Sequence, residues 1–200
     1  MELGCIIEGD GERDALPILL RRVIQEIDPA LYVRVLRPIR RPRGQLNSQQ
    51  QITEAVDLAL RTLTPPCAVL ILIDADDNCP AELGPRILGW ARSGGSDLPI
   101  AVVLANREYE AWFLAAAESL RGLRGVQHDI VAPPDPETIA GAKEWLTERM
   151  SRRQSYKPTS HQASFSAVFD LELARRRAPS FDKLCRDVRR LVDAMRAGEG

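Results

Sequence analysis

Six apolar residues without a polar break, AVLILI, run into Asp74-Ala75-Asp76-Asp77. Pro65-Pro66 frames this run before it and Pro80 after it. So short a run, rich in Val, Ile and Leu, predicts a strand buried on both faces, as in a parallel sheet. In open sheets of that kind ligands bind beyond the carboxyl ends of the strands, so three acids there predict a platform for a divalent cation. The competing reading is an Asp-rich turn in which Asp77 caps the following helix, and the two roles do not exclude each other.

The rest of the chain repeats the pattern. LGCIIE is a short apolar run ending on Glu8; Gly9-Asp10-Gly11 then turns the chain into a helical spacing of Leu16, Leu19, Leu20 and Val23. Glu12, in the first helical turn, is placed to point back at the end of that strand. Residues 32–36 alternate and predict a second strand ending before Pro38. Residues 38–51, PIRRPRGQLNSQQQ, carry no apolar period and predict a basic loop, with Ser48 as cap of a helix marked by Ile52, Ala55, Val56, Ala59 and Leu63. After the central strand come a helix over about 81–92, a break at Ser93-Gly94-Gly95, and a buried strand over 99–105 that ends beside Glu108 and Glu110. A capped helix is predicted from Asp135 to about residue 150, a polar loop over 151–162, and helices over 163–177 and 180–197 parted at Pro179. Repeated alternation of strand and helix predicts an α/β fold: a parallel sheet of about four strands with right-handed crossovers and helices on both faces. Residues 1–121 form the α/β core in this reading, and 122–200 a helical C-terminal extension packed on it.

Two hundred residues with a net charge of −1 suffice for one hydrophobic core, and the balance itself says little about partners. The four cysteines are scattered, without a CxxC pair or a histidine at ligand spacing, which argues against zinc and for reduced thiols in a cytoplasmic protein. No apolar stretch approaches the roughly 20 residues that span a bilayer, so no membrane is expected.

The expected chemistry lies with the acids. Glu8 with Glu12, Asp74 with Asp76 and Asp77, and Glu108 with Glu110 come from three strand ends on one edge. With only two histidines in the chain, these oxygen donors suit Mg²⁺ or Mn²⁺. Such ions complete their shells with phosphate oxygens, and two together clamp the attacking and leaving oxygens of a phosphodiester. A GxxxxGK[ST] loop is missing, so nucleotide hydrolysis of the P-loop kind is unsupported. Arg37, Arg40, Arg41 and Arg43, just past a strand end, suit a nucleic-acid backbone, the alternative being a solubilising loop.

Glu8 after the first strand and Asp74-x-Asp76 after the central strand resemble the Toprim domain of topoisomerases, bacterial primases and the overcoming-lysogenization-defect nucleases. IIEGDGERDAL, ILIDADD, NREYEAWFLA and the Tyr156-Lys157 loop with FDLELARRRAPSFDKL resemble, over nearly the whole chain, a bacterial family of stand-alone Toprim-like proteins known as domain of unknown function 4276. The resemblance implies that Glu8 is a metal ligand or general base and that Asp74 and Asp76 bind metal. It implies that Glu12, with Glu108 or Glu110, completes a second metal site; which of the two does so stays open. Lys157 is the candidate to stabilise transition-state charge, with a plain surface lysine as the alternative.

These readings converge on a Mg²⁺- or Mn²⁺-dependent nuclease cutting DNA or RNA, in phage or plasmid defence, beside a separately encoded ATPase as partner. The alternative is a regulatory or partner-binding subunit of the same fold with weak or no catalysis. Nucleotidyl transfer ranks last, because the helper domain of Toprim primases has no counterpart in the chain.

Overall fold

The structure is a computed structural model; it describes residues 1–95 and 97–198, with the side chain of Arg43 outside the described set. Its strands are β1 (Glu2–Ile7), β2 (Arg34–Val35), β3 (Ile39–Arg40), β4 (Cys67–Asp74) and β5 (Ile100–Ala105). All pair in parallel in one sheet ordered β2-β1-β4-β5, with β3 also on β1.

The strand predicted over 32–36 and the loop after it resolve into two short pieces along β1. Glu2 pairs with Arg34 and Leu3 with Val35, whereas Ile6 pairs with Ile39 and Ile7 with Arg40, so the register advances by one residue between them. Leu36 donates its N–H to the Leu3 carbonyl at 3.0 Å. The next rung needs an N–H at residue 38, which Pro38 lacks; the ladder resumes one residue late, with Arg41 N–H on the Ile7 carbonyl at 2.9 Å. The bulge carries Arg40 and Arg41 to the end of β1, beside Glu8.

Eight α-helices are described: α1 (Glu12–Ile27), α2 (Gln49–Leu60), α3 (Pro80–Arg92), α4 (Ala111–Ala115), α5 (Ala142–Glu148), α6 (Pro158–Ser166), α7 (Leu171–Arg177) and α8 (Pro179–Ala197). Ser48 caps α2 as expected, its Oγ accepting the Gln51 N–H at 3.4 Å. Asp77 does not cap α3: the cap position is Cys79, which makes no side-chain bond there, and Asp77 is exposed with a 3.4 Å contact to Arg107. The helix predicted from Asp135 is a 3-10 turn, Pro136–Thr138, followed by α5. The break falls at Gly141, whose φ of +73° suits a residue without Cβ. The polar loop predicted over 151–162 ends early, because Pro158 opens α6 in the first-turn position that proline tolerates. The helix predicted over 163–177 divides where Asp170 accepts the Leu173 N–H at 2.9 Å and starts α7.

Alternation along the strands builds two apolar layers. Leu3, Cys5, Ile7, Leu70, Leu72 and Val103 face α1, α4, α6 and α8 on one side, and Ile6, Val69, Ile71, Ile73, Val102 and Leu104 face α2 and α3 on the other. Phe181, Leu184, Val188 and Val192 of α8 lie in the same cluster as Leu16, Leu19 and Leu20 of α1. At the β5 edge, Lys183 donates to the Val102 carbonyl at 2.7 Å and pairs with buried Asp187. Among the described residues no helix is long and apolar enough to cross a membrane.

Candidate functional site

The turn after β1 is shaped by contact. A Cβ on Gly9 would stand 2.6 Å from Glu12 Oε1, and one on Gly11 would stand 2.0 Å from Gln162 Oε1 and 3.0 Å from the Pro158 Cβ. Gly-Asp-Gly therefore lets Glu12 fold back over the turn and lets the start of α6 press against it. Glu12 is buried, and its Oε2 accepts the Gly9 N–H at 2.9 Å.

Asp74 closes β4, where its Oδ1 accepts the Tyr109 N–H at 2.8 Å from the loop that follows β5. Glu110 ends that loop at the head of α4 and is 1% exposed. Tyr156 donates its hydroxyl to Glu110 Oε1 at 3.0 Å, and Gln162 Nε2 donates to the same oxygen at 3.4 Å. Lys143, from the first turn of α5, places Nζ 2.8 Å from Glu108 Oε2 and 3.4 Å from Glu110 Oε2.

These groups share one electrostatic environment. Burial raises the Glu12 and Glu110 carboxyls above their ordinary range. Asp74 keeps part of its surface open, yet its carboxyl is raised well above the usual value, first by desolvation and then by the Glu12 and Glu110 charges. Lys143 and the Tyr109 N–H pull the other way. For Lys143 burial alone would favour the neutral amine, but Glu110 and Glu108 outweigh it and hold the ammonium protonated above its ordinary value. Burial also raises the Tyr109 and Tyr156 hydroxyls; Tyr109 shares a 2.9 Å hydrogen bond with the Ser166 hydroxyl.

The structure thus gathers Glu12, Asp74, Glu108 and Glu110 from three strand ends. Glu8 stands partly buried at the end of β1, and its backbone N–H helps hold the Glu12 carboxylate. Asp76 is exposed with φ +48°, and its N–H donates to the Arg107 carbonyl at 2.9 Å. Lys157 is exposed at the start of α6, its N–H on His161 Nδ1 at 3.0 Å. Arg40 Nε stands 3.0 Å from Asp10 Oδ1 in the turn after β1, Arg41 is partly buried, and Arg37 is exposed. The Arg43 side chain lies outside the described residues.

Lys143 and Gln162 escaped the sequence reading. A signal existed for the first: the chain has 24 arginines and three lysines, Lys143, Lys157 and Lys183. Two of the three meet a buried carboxylate, Lys143 with Glu110 and Lys183 with Asp187.

By chemical class these donors are the kind a hard cation takes, but they are not placed as a metal site. Every donor is oxygen, and four carboxylates face one ammonium. Among the described residues, no three His, Cys, Asp or Glu side chains stand in an arrangement that could hold a metal ion, and Lys143 reaches both Glu108 and Glu110.

No curated protein and no solved structure matches this chain. A family model does match, over residues 7–189, from the Glu8 strand end to within α8, and the chain accordingly belongs to the family described as Domain of unknown function (DUF4276).

Proposed function

We propose that this chain is a Toprim-type, Mg²⁺- or Mn²⁺-dependent hydrolase of nucleic-acid phosphodiesters. The observation that carries the reading is the gathering of acids itself. Carboxylates from three strand ends converge at the edge of a parallel sheet where ligands bind in such folds, and burial first, then the charges of Glu12 and Glu110, raise the Asp74 carboxyl.

Asp74 and Glu12, with Glu8 and Asp76, are the residues that would hold the ion. The bound ion would lower the pKa of a water and polarise a phosphoryl oxygen. The chain's own residues do the rest. Tyr156 and Gln162 fix the Glu110 carboxylate, the Tyr109 N–H orients Asp74, and the Gly9 N–H holds Glu12 inward. Arg40 and Arg41, carried to the same rim by the bulge, are the phosphate contacts in this reading. A separately encoded ATPase partner in phage or plasmid defence belongs to the proposal too, and co-purification from cells carrying both genes tests that part.

One observation favours a second reading, a regulatory subunit without catalysis: Lys143 already pairs with Glu108 and Glu110. Calorimetric Mn²⁺ binding and cleavage of labelled DNA and RNA, by the wild type and by Asp74→Ala, separate the two. The hydrolase reading expects binding and cleavage that both vanish in a folded Asp74→Ala protein. Biological activity that survives this substitution would overturn it.

A further inference from the structure

We propose that the segment 121–128 and the loop after α5, residues 149–157, together form a docking platform for the backbone of a nucleic acid. Where the platform falls along the bound strand rests on the hydrolase reading; its charge requires no metal.

The two segments hold five arginines, one lysine and no acid. They are fastened to each other as a unit. Val126 and Met150 form an antiparallel bridge, and Ser151 donates its N–H and its hydroxyl to the Gly125 carbonyl at 2.7 and 3.0 Å. The Gln127 N–H lies 2.9 Å from the Arg149 carbonyl. Gln154 closes over the turn so tightly that a Cβ on Gly125 would stand 1.6 Å from its Oε1. Two of the arginines are engaged within the fold. Arg121 donates to the Ile130 carbonyl at 3.0 and 3.1 Å, and Arg149 stacks on Trp145 at 3.8 Å and pairs with Glu148. Arg124, Arg152 and Arg153 are exposed and, among the described residues, enter no ion pair. Elsewhere exposed arginines meet acids, as Arg176 meets Glu172 and Arg186 meets Asp182.

The backbone holds two of these charges in strained positions. Arg124 and Arg153 have φ of +45° and +69°, a region that suits glycine or asparagine, so the turns themselves do not call for arginine. Guanidinium forks on a fixed backbone match phosphate oxygens through paired donors. Their placement suits one long polyanion better than separate small ones. Lys143 at the start of α5 meets Glu110, and the Tyr156 hydroxyl donates to the same residue, so the chain between them leaves the acids and returns to them. Arg153 precedes Tyr156 by three residues, which limits the backbone between them to about 10 Å. A duplex strand advances roughly 3.4 Å per nucleotide. A strand with one phosphate at the acids therefore meets the platform within a few nucleotides.

Binding measured in EDTA tests the platform apart from cleavage. Full-length protein is titrated into fluorescein-labelled duplex DNA, single-stranded DNA and RNA over a series of salt concentrations. The wild type is expected to bind at least one of these probes, more weakly as salt rises. The combined variant Arg124→Asn, Arg152→Gln, Arg153→Asn keeps residues that tolerate the left-handed turns. It is expected to bind about tenfold more weakly or worse at about 0.1 M salt, and to lower the slope of log affinity against log salt by about 2–3. Arg152→Gln alone, which touches neither left-handed position, should lower that slope by about 1. A control that removes the same charge from exposed positions elsewhere, Arg61→Gln, Arg92→Gln, Arg189→Gln, is expected to bind as the wild type does. No binding by the wild type, unchanged affinity and slope in the platform variants, or an equal loss in the control would overturn the inference. So would a loss seen only on phosphatidylserine vesicles, which would assign the platform to a membrane surface. Cleavage by the wild type in Mn²⁺ reports separately: binding lost in the platform variant, with no cleavage by the wild type, would support the platform and overturn the hydrolase reading.

Discussion

Asp74 sits where burial first, and then two other acids, work against its charge, and its stability consequence has a definite sign. A carboxyl raised in the folded state binds its proton more tightly there than in the unfolded chain, where it titrates near 4. Its contribution is fully present below that value and is lost as pH rises through the raised range. The metal-free protein is therefore expected to lose stability as pH climbs from about 4 toward neutrality, read by urea denaturation at a series of pH values. Asp74→Asn, which keeps an acceptor for the Tyr109 N–H, should flatten this slope and gain about 1 kcal/mol at neutral pH, as sites strained for function commonly do when relieved. Tyr156→Phe removes a donor from buried Glu110 and should cost about 1–2 kcal/mol in the same assay. Much of this was legible: Glu8, Glu12, Asp74, Glu108 and Glu110 follow predicted strand ends, and strand ends fix where a side chain can be. Lys143 was not, because its place depends on how an irregular segment of some thirty residues returns to the sheet, and no periodicity encodes that path. Lys157, chosen for its polar loop, turned out to start a helix on the surface.

Among the elements, β1, β4 and β5 were readable to within a residue, since fully buried strands leave unbroken apolar runs. The bulge was not, because its cause is the missing N–H of Pro38 at one rung, and a proline after an alternating run reads simply as a strand end. The unpaired edge of β5 is guarded by Lys183, whose ammonium lies on the Val102 carbonyl. Unpaired edges invite pairing with other chains, and a charged side chain laid over one discourages it. Lys183→Met should cost roughly 1–3 kcal/mol, because Asp187 keeps Arg190 but loses its other partner. It should also introduce concentration-dependent association visible by light scattering; a variant that stays monodisperse up to millimolar concentration would show that the edge is protected by other means.

At the scale of the molecule, helices from both ends of the sequence cover the same sheet face. Phe181 is fully buried against Trp112 and Phe169, with ring centroids 5.2 and 5.5 Å apart. Phe181→Ala should cost about 3–5 kcal/mol, and calorimetry of the wild type should show one transition, not two. A fragment of residues 1–121 should fail to fold cooperatively, as it lacks the α8 side chains that cover β4 and β5. The distribution of basic residues across the whole chain has a further outcome in reactivity. An ammonium kept protonated between two carboxylates is a poor nucleophile, while Lys157 stands in solvent. With three lysines in all, an amine-acylating reagent should modify Lys157 well before Lys143, so that a mass spectrum of the briefly treated protein reports directly on how firmly Glu108 and Glu110 grip the Lys143 charge.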